Sequence, residues 1–352
     1  MLPKPWQETR KHDLRSAAWS SSGMKDYEII ATLGPASDAE TVWQAMISAG
    51  ATAFRLNTSH LDLHEISLRV ERICSFISSV DPNIGLVLDL QGSKWRLGNF
   101  SPVFLEEGAC IEFSCRASSQ KNAVLPVPHP DFFQAVALSN GTIVLDDARI
   151  SLEPESIGAE SVAARVIRGG EISPKKGITC PSSPYRIESL NENDLEIFAS
   201  TRDLDVIRYA LSYVRDASEM GTYRKIFGSE AYLIAKLERE SSVGDAAAIA
   251  RFADELWLCR GDLGAELGEA EMAKVCHSFP VRDLEPGVPV LLAGQVFEHM
   301  KVSPVATRSE VCCLHDALVK GFHGVVLSDE TAIGRYPVKS CQKAAIFRNG
   351  KP

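Results

Sequence analysis

The chain has 352 residues, 45% of them hydrophobic and 24% charged, which suits one large globular domain with a smaller companion. A formal net charge of -9 argues against a general binder of nucleic acid or anionic membranes, while leaving room for a local basic pocket that takes phosphates. Nine cysteines without Cys-x-x-Cys spacing exclude a zinc ribbon and a dense disulfide scaffold, and point to a reducing compartment.

Residues 1–26 carry Lys4, Arg10, Lys11 and Arg15 with no apolar core, so they read as a polar tail and not as a secretory leader. No later stretch reaches the ~18 apolar residues of a membrane span, and a cytoplasmic chain is expected. From Tyr27 onward, short apolar runs alternate with amphipathic stretches. Strands are expected at Ile29–Leu33, Ala53–Asn57 and Gly85–Asp89, with helices over Asp38–Ser48 and His64–Ser78. The helical rhythm then stops until about Asn191. The interval holds short apolar runs at Val103–Leu105, Cys110–Phe113, Gly141–Leu145, Ile150–Leu152 and Ser161–Ile167, divided by turn clusters such as Arg168-Gly-Gly170. That is the pattern of a small inserted all-β unit. Alternation resumes with strands at Val206–Ser212, Tyr232–Glu238, Glu255–Cys259, Val288–Ala293 and Gly324–Leu327, and helices at Asp245–Asp254, Gln295–Lys301 and Arg308–Lys320.

Eight strands joined by helices or by the insertion must pair in parallel, and this suggests a (β/α)8 TIM barrel in the α/β class. The boundaries expected are a tail over 1–26, barrel over 27–97, inserted unit over 98–180 and barrel again over 181–352. A doubly wound open sheet is the competing architecture, and no Gly-x-Gly-x-x-Gly follows the first strand to favour it.

Polar residues recur where the strands end: Asn57, Asp89, Ser212, Glu238, Arg260 with Asp262, and Ser328. In a barrel these ends share one mouth. Glu238 and Asp262 are candidate ligands for Mg2+ or Mn2+, which are commonly held by one or two carboxylates with substrate oxygens and water completing the shell. Lys236, two residues from Glu238, shares its strand face and would neutralise a phosphoryl group or an enolate, or simply pair with Glu238. Arg55, Asn57 and Ser59 are candidates for phosphate and a monovalent cation, with a plain surface cation as the alternative for Arg55. The Arg260-Gly-Asp-Leu-Gly264 turn enters a short helix whose free N–H groups suit a carboxylate. His60, His64, His299 and His323 lack metal-site spacing and read as structural or exposed.

The chain resembles the pyruvate kinase family. The resemblance rests on Ile30–Ser37, Phe54–His60, Leu88–Arg96, Lys175–Pro181, Ile234–Glu238, Leu258–Gly264, Pro304–Glu310 and Leu327–Gly334, which match family blocks in order. It implies phosphoryl transfer between phosphoenolpyruvate, or a related acid, and ADP or ATP, with Mg2+ and K+ as cofactors. By residue, it implies Glu238 and Asp262 on the divalent metal and Lys236 and Arg55 as catalytic groups. Gly261, Asp262, Arg96 and Gly294 would meet substrate; Asn57, Arg96 and Lys176 would meet nucleotide; Asn57, Ser59 and Asp89 would hold potassium. The inserted unit would be a closing lid.

Three positions depart from the family pattern: Gly294 stands where a threonine associated with enolate protonation is usual, Gln91 replaces a lysine, and Asp329 replaces a glycine. The family's C-terminal domain is expected to be absent, with barrel faces left through which a homo-oligomer could form. Gly294 leaves two further readings open: a metal-dependent lyase or decarboxylase acting on a 2-oxo acid, and a binding protein that retains the pocket without turnover.

Overall fold

The computed structural model describes residues 27–348 except 122, 140, 182, 184, 285 and 286, so the expected tail over 1–26 lies outside the described residues. Eight parallel strands close into a barrel: β1 (Glu28–Leu33), β2 (Ala53–Asn57), β3 (Gly85–Leu90), β4 (Ile207–Leu211), β5 (Tyr232–Leu237), β6 (Glu255–Cys259), β7 (Val290–Ala293) and β8 (Gly324–Leu327). The order around the ring follows the sequence, and β1 returns to pair with β8 in the register Ala31↔Leu327.

Strand alternation sorts the interior into layers, because every second side chain points inward. The middle layer is apolar and contains Ile30, Val87, Ile234, Trp257, Leu291 and Val326. Above it, toward the C-terminal strand ends, the inward positions are Thr32, Arg55, Asp89, Lys236 and Cys259. Below it sits a buried ionic cluster in which Arg208 donates to Glu28 at 2.7 Å and lies 3.5 Å from Glu255. The Glu255 carboxylate also accepts from Tyr232 Oη at 3.0 Å and Trp257 Nε1 at 2.5 Å. Gly85 makes room for this arginine, since a Cβ there would lie 3.0 Å from Arg208 Nε. The outward faces of the strands carry Ile29, Leu56, Leu88, Leu211 and Leu233 into a second apolar layer shared with the surrounding helices.

Between β3 and β4 the chain builds a separate six-stranded sheet, ordered Ile178–Thr179, Ile143–Leu145, Ile150–Ile157, Ser161–Arg168, Cys110–Ser114 and Val124–Pro126. This inserted unit has its own core, which includes Trp95, Leu97, Phe113, Phe132 and Leu152. It also contains a ten-residue helix, Pro130–Ser139, that the sequence reading did not place. Proline suits its first turn, but opposite the buried Phe132, Phe133, Ala135 and Val136 the exposed face carries Ala137 and Leu138, so no polar stripe marks the period.

Two expected helices are corrected. Asp245–Asp254 is instead the short pair Glu240–Gly244 and Ala246–Ile249. Gln295–Lys301 is only a 3-10 turn over Glu298–Lys301, because Gly294 and Gln295 lie in the left-handed region at φ 87° and 52° and cannot begin an α-helix. Helices Ala217–Phe227 and Glu269–Ser278 complete connections that the sequence reading left without elements. Among the described residues no helix is long and apolar enough to cross a membrane.

Removing the counter-charge of the lower cluster strands two buried carboxylates, so Arg208→Met is expected to lower the unfolding free energy by about 3–5 kcal/mol. Urea denaturation measures this, and a loss below about 1 kcal/mol would show that the carboxylates find other compensation.

Candidate active site at the barrel mouth

Lys236, on the inward face of β5, is buried at the centre of the mouth. Its Nζ donates to Asp89 Oδ1 at 3.0 Å and Ser212 Oγ at 2.9 Å, and lies 3.0 Å from Glu238 Oε1. Arg55 approaches Asp89 from the other side, donating through Nε at 2.8 Å and through Nη2, while its Nη1 reaches Thr32 Oγ1 at 2.9 Å. Burial works against the charge on Asp89, yet Lys236 and Arg55 outweigh it and hold the carboxyl far below the usual carboxylate range. Burial likewise works to discharge Lys236, and Asp89 and Glu238 reverse it, raising its pKa.

Glu238 also accepts the Tyr213 N–H at 2.7 Å. Across from it, Asp262 sits in the first turn of helix Arg260–Leu267, where the positive end of the helix dipole favours an anion. Burial, with Asp262 adding to it, pushes the Glu238 carboxyl up against the pull of Lys236. Burial would also raise Asp262, but Lys94 and a hydrogen bond from Glu238 hold it low. The two neighbouring carboxyls are thus shifted in opposite directions, Glu238 up and Asp262 down. A pair of carboxylates so placed fits a divalent cation of the magnesium type, which takes its remaining oxygens from ligand and water. No cluster of three or more His, Cys, Asp or Glu with metal-binding geometry occurs among the described residues, so a closed, all-protein metal cage is not part of this site.

The inserted unit closes over this floor. Arg96, Asp146, Asp147, Lys176 and Gly177 line the same cavity of about 200 Å³ as Arg55, Asn57, Lys236, Glu238, Gly261, Asp262 and Gly294. Lys176 pairs with Asp146 at 2.8 Å. Arg149 bridges to Glu298 of the barrel at 3.4 Å. Asp146, Asp147 and Ala148 are successive left-handed residues, which turn the Asp147 carboxylate down to Gly261: a Cβ on that glycine would lie 3.4 Å from Asp147 Oδ2. Arg96 is anchored by Nη1 to the Lys175 carbonyl at 2.9 Å, and its buried Nε has no partner. A buried, unpaired guanidinium N–H beside the cavity is a donor in need of an acceptor.

The structure thus gathers most of the residues singled out in the sequence. Ser59 does not line the cavity; its N–H donates to Asn57 Oδ1 at 3.1 Å. Asp89 lies beneath Arg55 and Lys236, outside the lining. Arg260 turns away from the mouth and clamps the Gly294 carbonyl with Nε at 2.9 Å and Nη2 at 2.6 Å. His64 and His299 are exposed, and His323 accepts the Val290 N–H at 3.1 Å. Missed by the sequence reading were Lys94, Asp146 and Asp147. Lys94 had a signal, since it stands two residues before Arg96 in an extended segment and so shares its face.

The family description "Pyruvate kinase, barrel domain" matches residues 24–341. The chain belongs to the pyruvate kinase family. The pyruvate kinase of Methylorubrum extorquens is 31% identical over 315 residues, covering 89% of this chain and 66% of that protein. Pyruvate kinase 2 of Synechocystis is 31% identical over 324 residues, 89% of this chain and 54% of that protein. The pyruvate kinase of Aeropyrum pernix is 31% identical over 323 residues, 90% of this chain and 68% of that protein. The chain thus spans between about half and about two thirds of the length of these curated relatives.

Against the pyruvate kinase pattern, the three departures fall at different depths. Gln91 braces the exit from β3, its Nε2 donating to the Lys94 carbonyl at 3.2 Å, and it does not line the cavity. Asp329 stands at the mouth and pairs with Lys301 at 2.9 Å. Gly294 is in the cavity wall at φ +87°, and a Cβ there would lie 3.1 Å from the Gly261 nitrogen. Restoring a side chain at this position therefore meets both backbone strain and a crowded N–H. Gly294→Ala is expected to cost about 1–2 kcal/mol of stability, measurable by chemical denaturation; a neutral result would mean that the loop can leave the left-handed conformation without loss.

The support under Arg96 is pH-sensitive. His129 Nε2 accepts the Arg96 N–H at 3.1 Å, and burial, helped by Arg186 and Arg96, depresses the imidazole to about 4 from its ordinary 6.5. The unfolded chain then takes up this proton near pH 6.5 and the folded chain only near 4, so the neutral imidazole's stabilisation is complete above 6.5 and is lost as pH falls through that window. His129→Gln, which retains an acceptor that does not titrate, is expected to flatten the stability profile between these limits; an unchanged profile would assign the acid sensitivity elsewhere.

Proposed function

We propose that this chain is a phosphotransferase of the pyruvate kinase type, exchanging a phosphoryl group between a phosphoenolpyruvate-type acid and ADP. The observation that carries this reading is the Lys236 ammonium, fixed by Asp89, Ser212 and Glu238 on the floor of the cavity beneath the Glu238–Asp262 pair. A cation pre-organised in a buried, water-poor site stabilises charge that develops on a transferring group without reorganising at the moment of reaction.

In this reading Glu238 and Asp262 hold Mg2+ or Mn2+, which would supply charge neutralisation of substrate oxygens. Arg55 and Arg96 meet phosphate oxygens, with the unpaired Arg96 Nε as a ready donor. The Gly261 and Asp262 N–H groups at the start of helix Arg260–Leu267 take the substrate carboxylate. Lys176 reaches the nucleotide from the inserted unit, which acts as the lid that excludes water. Asn57 with Ser59 and Asp89 is the potassium locus; since Asp89 already bears Arg55 and Lys236, the monovalent ion would rest mainly on Asn57, Ser59 and substrate oxygens. Gly294 offers no hydroxyl, so the enolate takes its proton from water. The same feature supports the second reading, release of a 2-oxo acid fragment without nucleotide.

A coupled assay with phosphoenolpyruvate, ADP, Mg2+ and K+ tests the proposal. Lys236→Met is expected to lower turnover by about 10²–10³-fold, the usual effect of deleting one pre-organised donor. Turnover no higher than that of the variant would sink the kinase reading, and cleavage of oxaloacetate without nucleotide would install the second one.

A further inference from the structure

A second groove, of about 610 Å³, lies on the outside of the barrel between helices Glu269–Ser278 and Arg308–Lys320, with the buried side chains of Leu292 and Phe322 at its base. Three of the chain's nine cysteines, Cys276, Cys312 and Cys313, line it. Arg260, Arg308 and Lys320 line it as well, and among its described lining residues they face the single carboxylate of Asp316, so the groove is cationic in a chain whose formal net charge is -9. The three thiols differ. Cys312 is exposed on the helix surface, while Cys276 donates to Met272 Sδ at 3.6 Å and burial pushes its thiol up. Cys313 is half-buried, and its Sγ accepts from Arg260 Nη1 at 3.1 Å. Cysteines that attack disulfides do so as thiolates, and they sit partly exposed beside a cation. Cys313 has both features.

The same guanidinium reaches the wall of the barrel mouth. Besides its bond to Cys313, Arg260 donates to the Gly294 carbonyl through Nε at 2.9 Å and Nη2 at 2.6 Å, and to the Gln295 carbonyl through Nη2 at 2.9 Å. Gly294 and Gln295 both have positive φ, a conformation that a glutamine keeps only where its surroundings hold it. Arg260 supplies that hold. A group added at the Cys313 sulfur takes the space and the acceptor used by Nη1, so it disturbs the one side chain that ties the groove to the loop carrying Gly294.

We propose that Cys313 is a covalent modification site that takes one half of an anionic, low-molecular-weight disulfide, and that the mixed disulfide loosens the Gly294–Gln295 loop through Arg260. In the exchange the Cys313 thiolate attacks one sulfur of the reagent. A new S–S bond forms, the reagent's own S–S bond breaks, and the departing thiolate takes up the proton that Cys313 gave up. The cysteine sulfur is oxidised and the released half is reduced, so the disulfide is the only co-reactant. Arg308 and Lys320 favour carboxylate-bearing reagents by charge. The inference stands on the groove and the clamp, and is independent of the reaction proposed above for the mouth.

The test treats the full, reduced chain with oxidised glutathione, which is anionic, or with cystamine, which is cationic, and maps the mixed disulfides by peptide mass spectrometry. Each rate is divided by that of the same cysteine in the chain unfolded in urea, which removes the intrinsic difference between the reagents. Cys313 is expected to take up glutathione ahead of Cys276 and Cys312, and severalfold faster than it takes up cystamine. Arg308→Ala combined with Lys320→Ala should abolish that preference. In the glutathionylated protein, amide hydrogen exchange over residues 293–297 should rise severalfold and return on reduction with dithiothreitol. Cys313→Ser, which keeps an acceptor for Arg260, should show neither the label nor the change. Faster uptake at Cys276 or Cys312, or equal rates with the two reagents, would overturn the site. Labelling of Cys313 with unchanged exchange over residues 293–297 would overturn its coupling to the loop. Both readouts are taken without substrate or nucleotide, so a failed kinase assay leaves them standing.

Discussion

A lysine ammonium buried at the mouth of a barrel can stay charged only if carboxylates surround it, and those carboxylates need further cations in turn. Around Lys236 this requirement spreads outward through Asp89 to Arg55, through Glu238 to Asp262, and from Asp262 to Lys94. The six members come from the ends of β2, β3, β5 and β6 or from the segments just beyond them, so the network also fixes how these four strand ends meet. Desolvation is the largest opposing effect at Asp89, Lys236, Glu238 and Asp262; paired charges outweigh it at Asp89, Lys236 and Asp262, while at Glu238 burial prevails. A site that already balances its charge internally accepts an ionic ligand by exchanging partners.

The inserted unit follows from the same constraint. A floor rich in charge loses strength when water enters, and the sheet bearing Asp146, Asp147 and Lys176 covers it. Contacts between the cover and the floor include Lys94 to Asp262, Arg149 to Glu298 and Thr179 Oγ1 to Tyr213 Oη. The apolar cores of the two parts are distinct. Polar fastening between separately packed bodies permits relative motion without unpacking either one.

The barrel was legible because each strand is a short apolar run, six of the eight with a polar residue at or next to the end, and because helices between parallel strands leave few topologies. The same pattern exposed Lys236, Glu238 and Asp262. It did not expose the helix at Pro130–Ser139, whose solvent face carries Ala137 and Leu138 beside Gln134 and so lacks the polar stripe that would mark the period. Nor did it show that Gln295 adopts a positive φ, since glutamine carries no local signal for that conformation; the expected helix there gave way to a short turn. Asp146 and Asp147 were hidden for a related reason. Their place depends on three left-handed residues in a row and on a docking between the two bodies that no local run of sequence encodes. Lys94 carried only the hint of its spacing from Arg96, because a lysine in a loop is usually solvated and its burial comes from the tertiary approach over Gly177.

The way the ring closes also bears on how the chain reaches this state. The last pairing joins β1 to β8, where Thr32 and Leu327 hydrogen-bond across 295 residues of sequence. A second distant junction, Ser212 to Leu90, spans 122 residues because the inserted sheet lies between β3 and β4. Closing so long a stretch of disordered chain carries an entropic cost that grows with its length. If the inserted sheet, which has its own core, forms before the barrel closes, it brings its two ends together and the β3–β4 pairing closes a much shorter effective loop. In that order of events the insertion acts as a clasp, and damage to its core would slow barrel assembly as well as loosen the cover over the site.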